Sequence, residues 1–146
     1  MTDKIPPMEV EQSDRILMSR VIRGDEEAFA EFFDTNFEPL HAYALTRAGG
    51  DEAAADDVVR RAFLESVRTL EIWRGQSPVI TWLKTISQTV PRDPVAEPID
   101  HATLREAVHL EWQDITTRRA QKRVFTSLVL AILVALIILL FNCPGA

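Results

Sequence analysis

Apolar residues recur at three- and four-residue intervals along most of the chain and never settle into a two-residue alternation, which predicts helices and no strands. The clearest pattern lies at 51–70. There Ala55, Val58, Val59, Ala62, Phe63, Val67 and Leu70 share one side, while Asp56, Asp57, Arg60, Arg61 and Arg68 face away from it. Gly49 and Gly50 stop the preceding element, and Asp51 is placed to accept the first free amides as an N-cap. Asp56 with Arg60 and Asp57 with Arg61 are acid-before-base pairs at four-residue spacing, expected on an exposed face and worth about 0.2–0.5 kcal/mol each.

Residues 1–12 show no period and read as a mobile leader. Ser13 is expected to cap a first helix that buries Ile16, Leu17, Val21 and Ile22 and ends at Gly24. Asp25 caps a second, with Ala28, Phe29, Phe32 and Phe33 as its stripe. Pro39 fits the first turn of a third, carrying Leu40, Tyr43, Ala44 and Leu45. After the central helix, Ser77-Pro78 reads as N-cap and first residue of a helix with Val79, Ile80, Trp82, Leu83 and Ile86, which Pro91 brings to an end. The pattern thus predicts an all-α bundle over 13–90, with Phe29, Phe33, Val59, Phe63, Trp82 and Leu83 in its core. Pro91, Pro94 and Pro98 make 91–99 a linker. Asp100 then caps an amphipathic helix over 100–123 with Leu104, Ala107, Val108 and Ile115 on its apolar side.

The run 124–141 contains no charge. As a helix it is about 27 Å long, against about 30 Å for the hydrocarbon core of a bilayer, so one transmembrane helix is expected there, followed by a short tail at 142–146. It continues the amphipathic helix. Arg118, Arg119, Lys122 and Arg123 stand directly before it, and basic residues stay inside, which places the bundle on the cytoplasmic face of a single-pass membrane protein. No apolar segment near Met1 has the form of a signal peptide.

Charge changes the picture in one respect. With a net charge of −6, the chain is not built to hold nucleic acid by bulk electrostatics, although a local basic face stays open to it. One cysteine, Cys143, rules out an internal disulfide. Catalysis has little to stand on: His41, His101 and His109 are scattered and read as surface residues, no glycine-rich phosphate loop or nucleophile signature occurs, and no metal or cofactor site is expected. The chain reads as a binding protein, not an enzyme.

Several motifs, in order, carry a resemblance. Gly24-Asp25-Glu26-Glu27-Ala28-Phe29, then Ala55-Asp56-Asp57-Val58-Val59-Arg60-Arg61-Ala62-Phe63, then Arg74-Gly75 and Thr81-Trp82-Leu83-Lys84-Thr85-Ile86 resemble region 2 of the extracytoplasmic-function (ECF) sigma factors, of the sigma-70 family of bacterial RNA polymerase. The resemblance implies a compact helical domain active in transcription initiation or its regulation. It implies docking on the beta-prime clamp helices of core RNA polymerase through Asp56, Asp57, Arg60, Arg61 and Leu64. It also implies contacts to promoter −10 DNA from the link and the helix after it, with Arg74, Gln76, Ser77, Lys84, Gln88 and Arg92 as candidates and Trp73 and Trp82 as possible stacking groups. The sequence departs from the family where Arg60-Arg61 replace glutamine and an acid, where Ser87-Gln88-Thr89 replaces Ala-Arg-Asn, and in having no arginine-rich tail. Between Pro98 and Arg123 there is room for one helix and not for a second, helix-turn-helix domain. The alternative is a degenerate sigma-like domain that serves another cytoplasmic protein as a membrane-anchored adaptor. Exchanging Arg60 and Arg61 for the family's glutamine and glutamate is expected to leave the fold intact and to separate the two readings.

Overall fold

The structure, a computed structural model, describes residues 7–91 and 97–141. Five α-helices follow one another without a strand among the described residues: α1 (Pro7–Ile22), α2 (Glu26–Arg47), α3 (Glu52–Arg68), α4 (Val79–Thr89) and α5 (His101–Phe141), with a 3-10 turn at Leu70–Ile72 between α3 and α4. The all-α reading is therefore correct. The core is aromatic at its centre. Phe33 lies 4.6 Å from Phe63 between ring centroids, and Phe32 meets the same ring edge-on at 5.8 Å, so α2 and α3 are joined through three phenylalanines.

Three boundaries differ from the sequence pattern. α1 begins at Pro7, so residues 7–12 are helical and Ser13 lies about two turns inside instead of at a cap. A proline needs no amide partner in a first turn, which lets Pro7 serve where Ser13 was expected to. Ile16 is 58% exposed, and Met18 takes the core place beside Leu17 and Val21. Pro39, expected to open a third helix, instead lies inside α2. An interior proline costs about 3 kcal/mol or more. The buried stripe Phe29, Phe32, Phe33, Asn36, Phe37, Leu40 and Ala44 runs straight through it, and that burial holds the helix together across the missing hydrogen bond. Asn36, polar within that stripe, donates to the Phe32 carbonyl at 2.8 Å.

The caps of α2 and α3 are those expected: Asp25 accepts from the Ala28 amide and Asp51 from the Ala54 amide, each at 3.1 Å. Gly24, between α1 and α2, has φ +90°, a left-handed conformation that glycine adopts without penalty. The cap of α4 is not Ser77. Asp14, from α1 and 65 residues away in sequence, accepts the Val79 amide at 2.8 Å, a partner that no local pattern could reveal. Removing this cap with Asp14→Ala should lower stability by about 1 kcal/mol in urea melts of the detergent-solubilised chain. Ser77→Ala should cost less than about 0.5 kcal/mol. The reverse order would return the cap to Ser77.

α5 is one unbroken helix of 41 residues, and its first half is part of the bundle. Arg105 pairs with Asp34 and His109 with Glu26, so α5 runs antiparallel to α2. The Ile99 amide donates to Asp56, Glu111 pairs with Arg68, and Glu71 pairs with Arg119, so it runs parallel to α3. Leu104, Val108 and Trp112, four residues apart, are its buried stripe. Ala107, expected there, is exposed, and Ile115 is half-buried. Trp112 stacks on Phe29 at 4.6 Å and donates its Nε1–H to the Val21 carbonyl at 3.1 Å. Burial of Leu104 and Val108 contributes about 1.5–3 kcal/mol each, whereas exposed ion pairs contribute about 0–1, so apolar packing sets the strength of the docking and the charges set its register.

The second half of α5 differs in kind. From Ala120 onward every described residue is exposed, and the apolar part is long enough, by length and composition, to cross a membrane.

Candidate interaction surfaces

The exposed side of α3 carries fewer free groups than its sequence implies. Asp57, expected to face away from the core, is only 3% exposed. A carboxylate so placed needs partners, and α3 itself supplies them: Arg61 Nε donates to both oxygens at 2.9 and 2.8 Å, and Arg60 Nη2 to Oδ1 at 3.0 Å. The expected pair of Asp57 with Arg61 is present, with Arg60 added from the turn between them. Asp56 does not pair with Arg60. Its carboxylate takes His41 Nε2 at 3.0 Å on one oxygen and the Ile99 amide at 3.3 Å on the other. The two arginines are thus part of the fold, and exchanging both would not leave it intact as the sequence pattern suggested.

Asp56, Arg60, Leu64 and Arg68 stand four residues apart on α3, and the first and last of this stripe are tied to Ile99 and to Glu111 of α5. Leu64 packs half-buried against the core. What stays open beside it is a shallow groove of about 180 Å³ lined by Arg61, Leu64, Glu65, Arg68, Val90 and Pro91. Of the five candidates for polymerase contact, then, Arg61 and Leu64 border open space, Arg60 is one-third exposed, Asp56 is turned to His41 and the Ile99 amide, and Asp57 is buried.

The nucleic-acid candidates fall into two groups. In the loop before α4, Arg74 and Gln76 are exposed, and the Gln76 side-chain oxygen accepts the Arg74 amide at 2.8 Å, closing the turn on itself. Gly75 is buried with φ +77°, and Arg15 of α1 donates to its carbonyl at 3.2 Å; a side chain at that position would meet the Arg15 Nε at 2.3 Å. Ser77 is half-buried, and its carbonyl accepts the Trp73 Nε1–H at 3.0 Å. Trp73 itself is 6% exposed and belongs to the core, while Trp82, expected in the core, is half-buried at its edge. Their expected roles are partly exchanged, because the 3-10 turn after α3 directs Trp73 inward.

The second group gathers round Tyr43, which the sequence pattern assigned to the buried side of its helix. Gln88 donates to the Tyr43 hydroxyl at 2.8 Å, and the Lys84 ammonium and the Arg47 guanidinium lie 5.3 and 5.6 Å from the ring centroid. Arg47 and Tyr43 are additions that sequence reasoning missed. α2, unbroken at Pro39, runs on to Arg47 and places both residues beside α4. Arg92 lies outside the described residues.

One carboxylate at the joint with α5, Glu26, is held below the ordinary carboxylate range. Glu26 accepts from Gln113 Nε2 at 2.9 Å and meets His109 Nε2 at 2.5 Å, and these two contacts, Gln113 first, lower its pKa from the ordinary value. A carboxylate with a depressed folded-state pKa stabilises the fold above its unfolded pKa, and that contribution disappears as pH falls through the folded one. Stability should therefore decline between about pH 5 and pH 3, and the decline should be shallower in Glu26→Gln; equal slopes in pH-dependent melts would show that this joint contributes nothing. Asp25 is lowered likewise by Arg20 and the Ala28 amide, which is why the comparison with the Glu26 variant is needed.

Among the described residues no three His, Cys, Asp or Glu side chains group as metal ligands. The ring of His101 packs edge-on against Phe37 at 4.3 Å, and His109 lies 5.0 Å from Phe29.

Comparison with known proteins places the motifs in context. Over 82 residues the chain is 33% identical to the ECF RNA polymerase sigma-E factor of Escherichia coli (strain K12), a match covering 55% of this chain and 41% of that protein. Over 80 residues it is 32% identical to the RNA polymerase sigma-H factor of Pseudomonas aeruginosa, with the same coverage. The sigma-E factor of Salmonella typhimurium (strain LT2) is 32% identical over 82 residues. The chain thus spans about two-fifths of the length of these curated relatives. No family model and no solved structure matches it. These distant similarities agree with the resemblance to ECF sigma factors that the motifs carry.

Proposed function

We propose that this protein is a sigma-region-2-like domain held at the cytoplasmic face of a membrane by residues 124–141 of α5, where it acts in transcription initiation or its regulation by binding core RNA polymerase. The observation that carries this reading is the ordered likeness to ECF sigma factors, which falls on a helical bundle whose α3 still presents Arg60, Arg61 and Leu64 at its surface. In this reading the partner is the beta-prime clamp helices, the groove beside Leu64 is the contact, and promoter −10 DNA is met by the polar face of α4 around Lys84 and Gln88. The apolar run and the basic residues before it support the tether and its orientation.

A second reading is favoured by one observation. The first half of α5 lies along the stripe of α3 from Asp56 to Arg68, a position that competes with any partner arriving there, and suits an adaptor for another cytoplasmic protein that no longer engages polymerase or promoter DNA. A photo-crosslinking amino acid at position 60, in the full chain in its own cells, separates the two. Arg61 keeps its two-oxygen contact to Asp57 in that variant, so the fold is retained. Crosslinks to the beta-prime subunit support the sigma reading, and crosslinks only to some other cytoplasmic protein overturn it.

A further inference from the structure

We propose that the 3-10 turn Leu70–Ile72 and the following Arg74 seat on anionic lipid headgroups at the foot of α5, so that the bundle rests on the membrane surface instead of hanging free above it. The proposal rests on the reading of residues 124–141 as a span, and goes beyond it in assigning a lipid-contact surface on the bundle itself.

The geometry starts from α5, which is helical without interruption from the bundle into the apolar run. Among the described residues, its last ion pair with the bundle is Arg119 Nε to Glu71 Oε1, at 3.6 Å. Val124, where the uncharged run begins, is five residues further, or about 7.5 Å along the helix axis. The polar headgroup layer is itself about 5–7 Å deep on each side of the hydrocarbon. Residues 120–123 therefore occupy that layer, and the turn that Arg119 holds lies at its outer edge. A flexible linker would leave this spacing undetermined, but a continuous helix fixes it.

The chemistry at that end suits such a contact. Ile72 is 66% exposed, the one large apolar side chain outside α1 and α5 among those exposed in the described residues, and Arg74 two residues on is exposed as well. Lys122 and Arg123 stand exposed on the same approach. Two acids near that end carry cationic partners: Glu71 is paired with Arg119, and Asp114 with Arg118 at 2.9 Å. An apolar side chain flanked by cations and facing a headgroup layer is the composition that binds anionic bilayers, in a chain whose overall charge of −6 would otherwise be repelled by them. Seating would also hold Arg74, Gln76 and Ser77 against lipid phosphate, leaving the Tyr43, Lys84 and Gln88 group as the accessible nucleic-acid candidate.

The test uses the full chain in nanodiscs of either phosphatidylcholine alone or phosphatidylcholine with phosphatidylglycerol, read by amide hydrogen exchange. Exchange of residues 70–76 should be severalfold slower in the anionic discs, with no change at Glu38 and its neighbours near the far end of the bundle. The slowing should vanish in Arg74→Gln. In a Cys143→Ser background, a spin label at Ile72→Cys should be broadened by nickel chelated to the headgroups, and one at Glu38→Cys should not. Equal exchange in both discs, with no broadening at position 72, would overturn the seating while leaving the span in place. Slowing produced by DNA and not by anionic lipid would assign the turn to nucleic acid and overturn it equally. Failure of the chain to enter discs would overturn the span reading and the seating together.

Discussion

Trp112→Ala should lower the stability of the full chain by about 3–5 kcal/mol, measured by urea melts in mild detergent, the range for emptying a buried large aromatic site. Trp112 is 1% exposed and stacks on Phe29, itself 1% exposed. Its Nε1–H also donates to the Val21 carbonyl near the end of α1, so truncation removes packing and a buried hydrogen bond at once. One side chain thereby joins α1, α2 and α5. Leu110→Ala, on the outer face of the same helix and 58% exposed, should stay within about 0.5 kcal/mol of the parent. A Trp112 variant as stable as the Leu110 variant would show that α5 does not pack on the bundle.

The second large effect comes from the arginines of α3. Arg60→Gln with Arg61→Glu removes two guanidinium partners of Asp57 and places a new carboxylate beside it. Taking two cationic partners from a carboxylate whose side chain is only 4% exposed costs about 3–5 kcal/mol, far more than the few tenths assigned to exposed pairs at the same spacing. Adding Asp57→Asn to the double variant should recover a substantial part of the loss, because a neutral amide costs less to bury unpaired. A double variant within 1 kcal/mol of the parent would put Asp57 in solvent. Any binding defect of this variant must be read against its stability, which is why a single change at position 60 is the better probe of partners.

The sequence made the helices legible because the bundle is held by periodic apolar faces, and Ala55, Val59, Ala62, Phe63 and Val67 all lie where a 3.6-residue period puts them. It misled where a long-range contact overrides a local signal. Pro39 reads as a helix start, yet Phe37 and Leu40 on either side of it are buried in one continuous helix. Ser77 reads as a cap, yet Asp14 does its work from another element. Asp57 sits at a position that the apolar stripe leaves for solvent, and is buried because Arg60 and Arg61 reach back over it. The candidate surfaces suffered most from this. Their residues were found through a family pattern, and a pattern does not state which side chains the chain's own later segments will use. Asp56 is engaged by the Ile99 amide just before α5, and Arg68 by Glu111 of α5, whose docked stripe of Leu104, Val108 and Trp112 was only partly visible in advance.

The most direct test of the account is competition for polymerase at a membrane. The full chain in anionic nanodiscs should bind purified core RNA polymerase, and an intact ECF sigma factor should displace it, since both would use the same clamp helices. Arg60→Gln should tighten the interaction by removing a cation that faces a basic partner. Absence of binding by both parent and variant, or binding that the intact sigma factor does not displace, would contradict the account and leave the adaptor reading in its place.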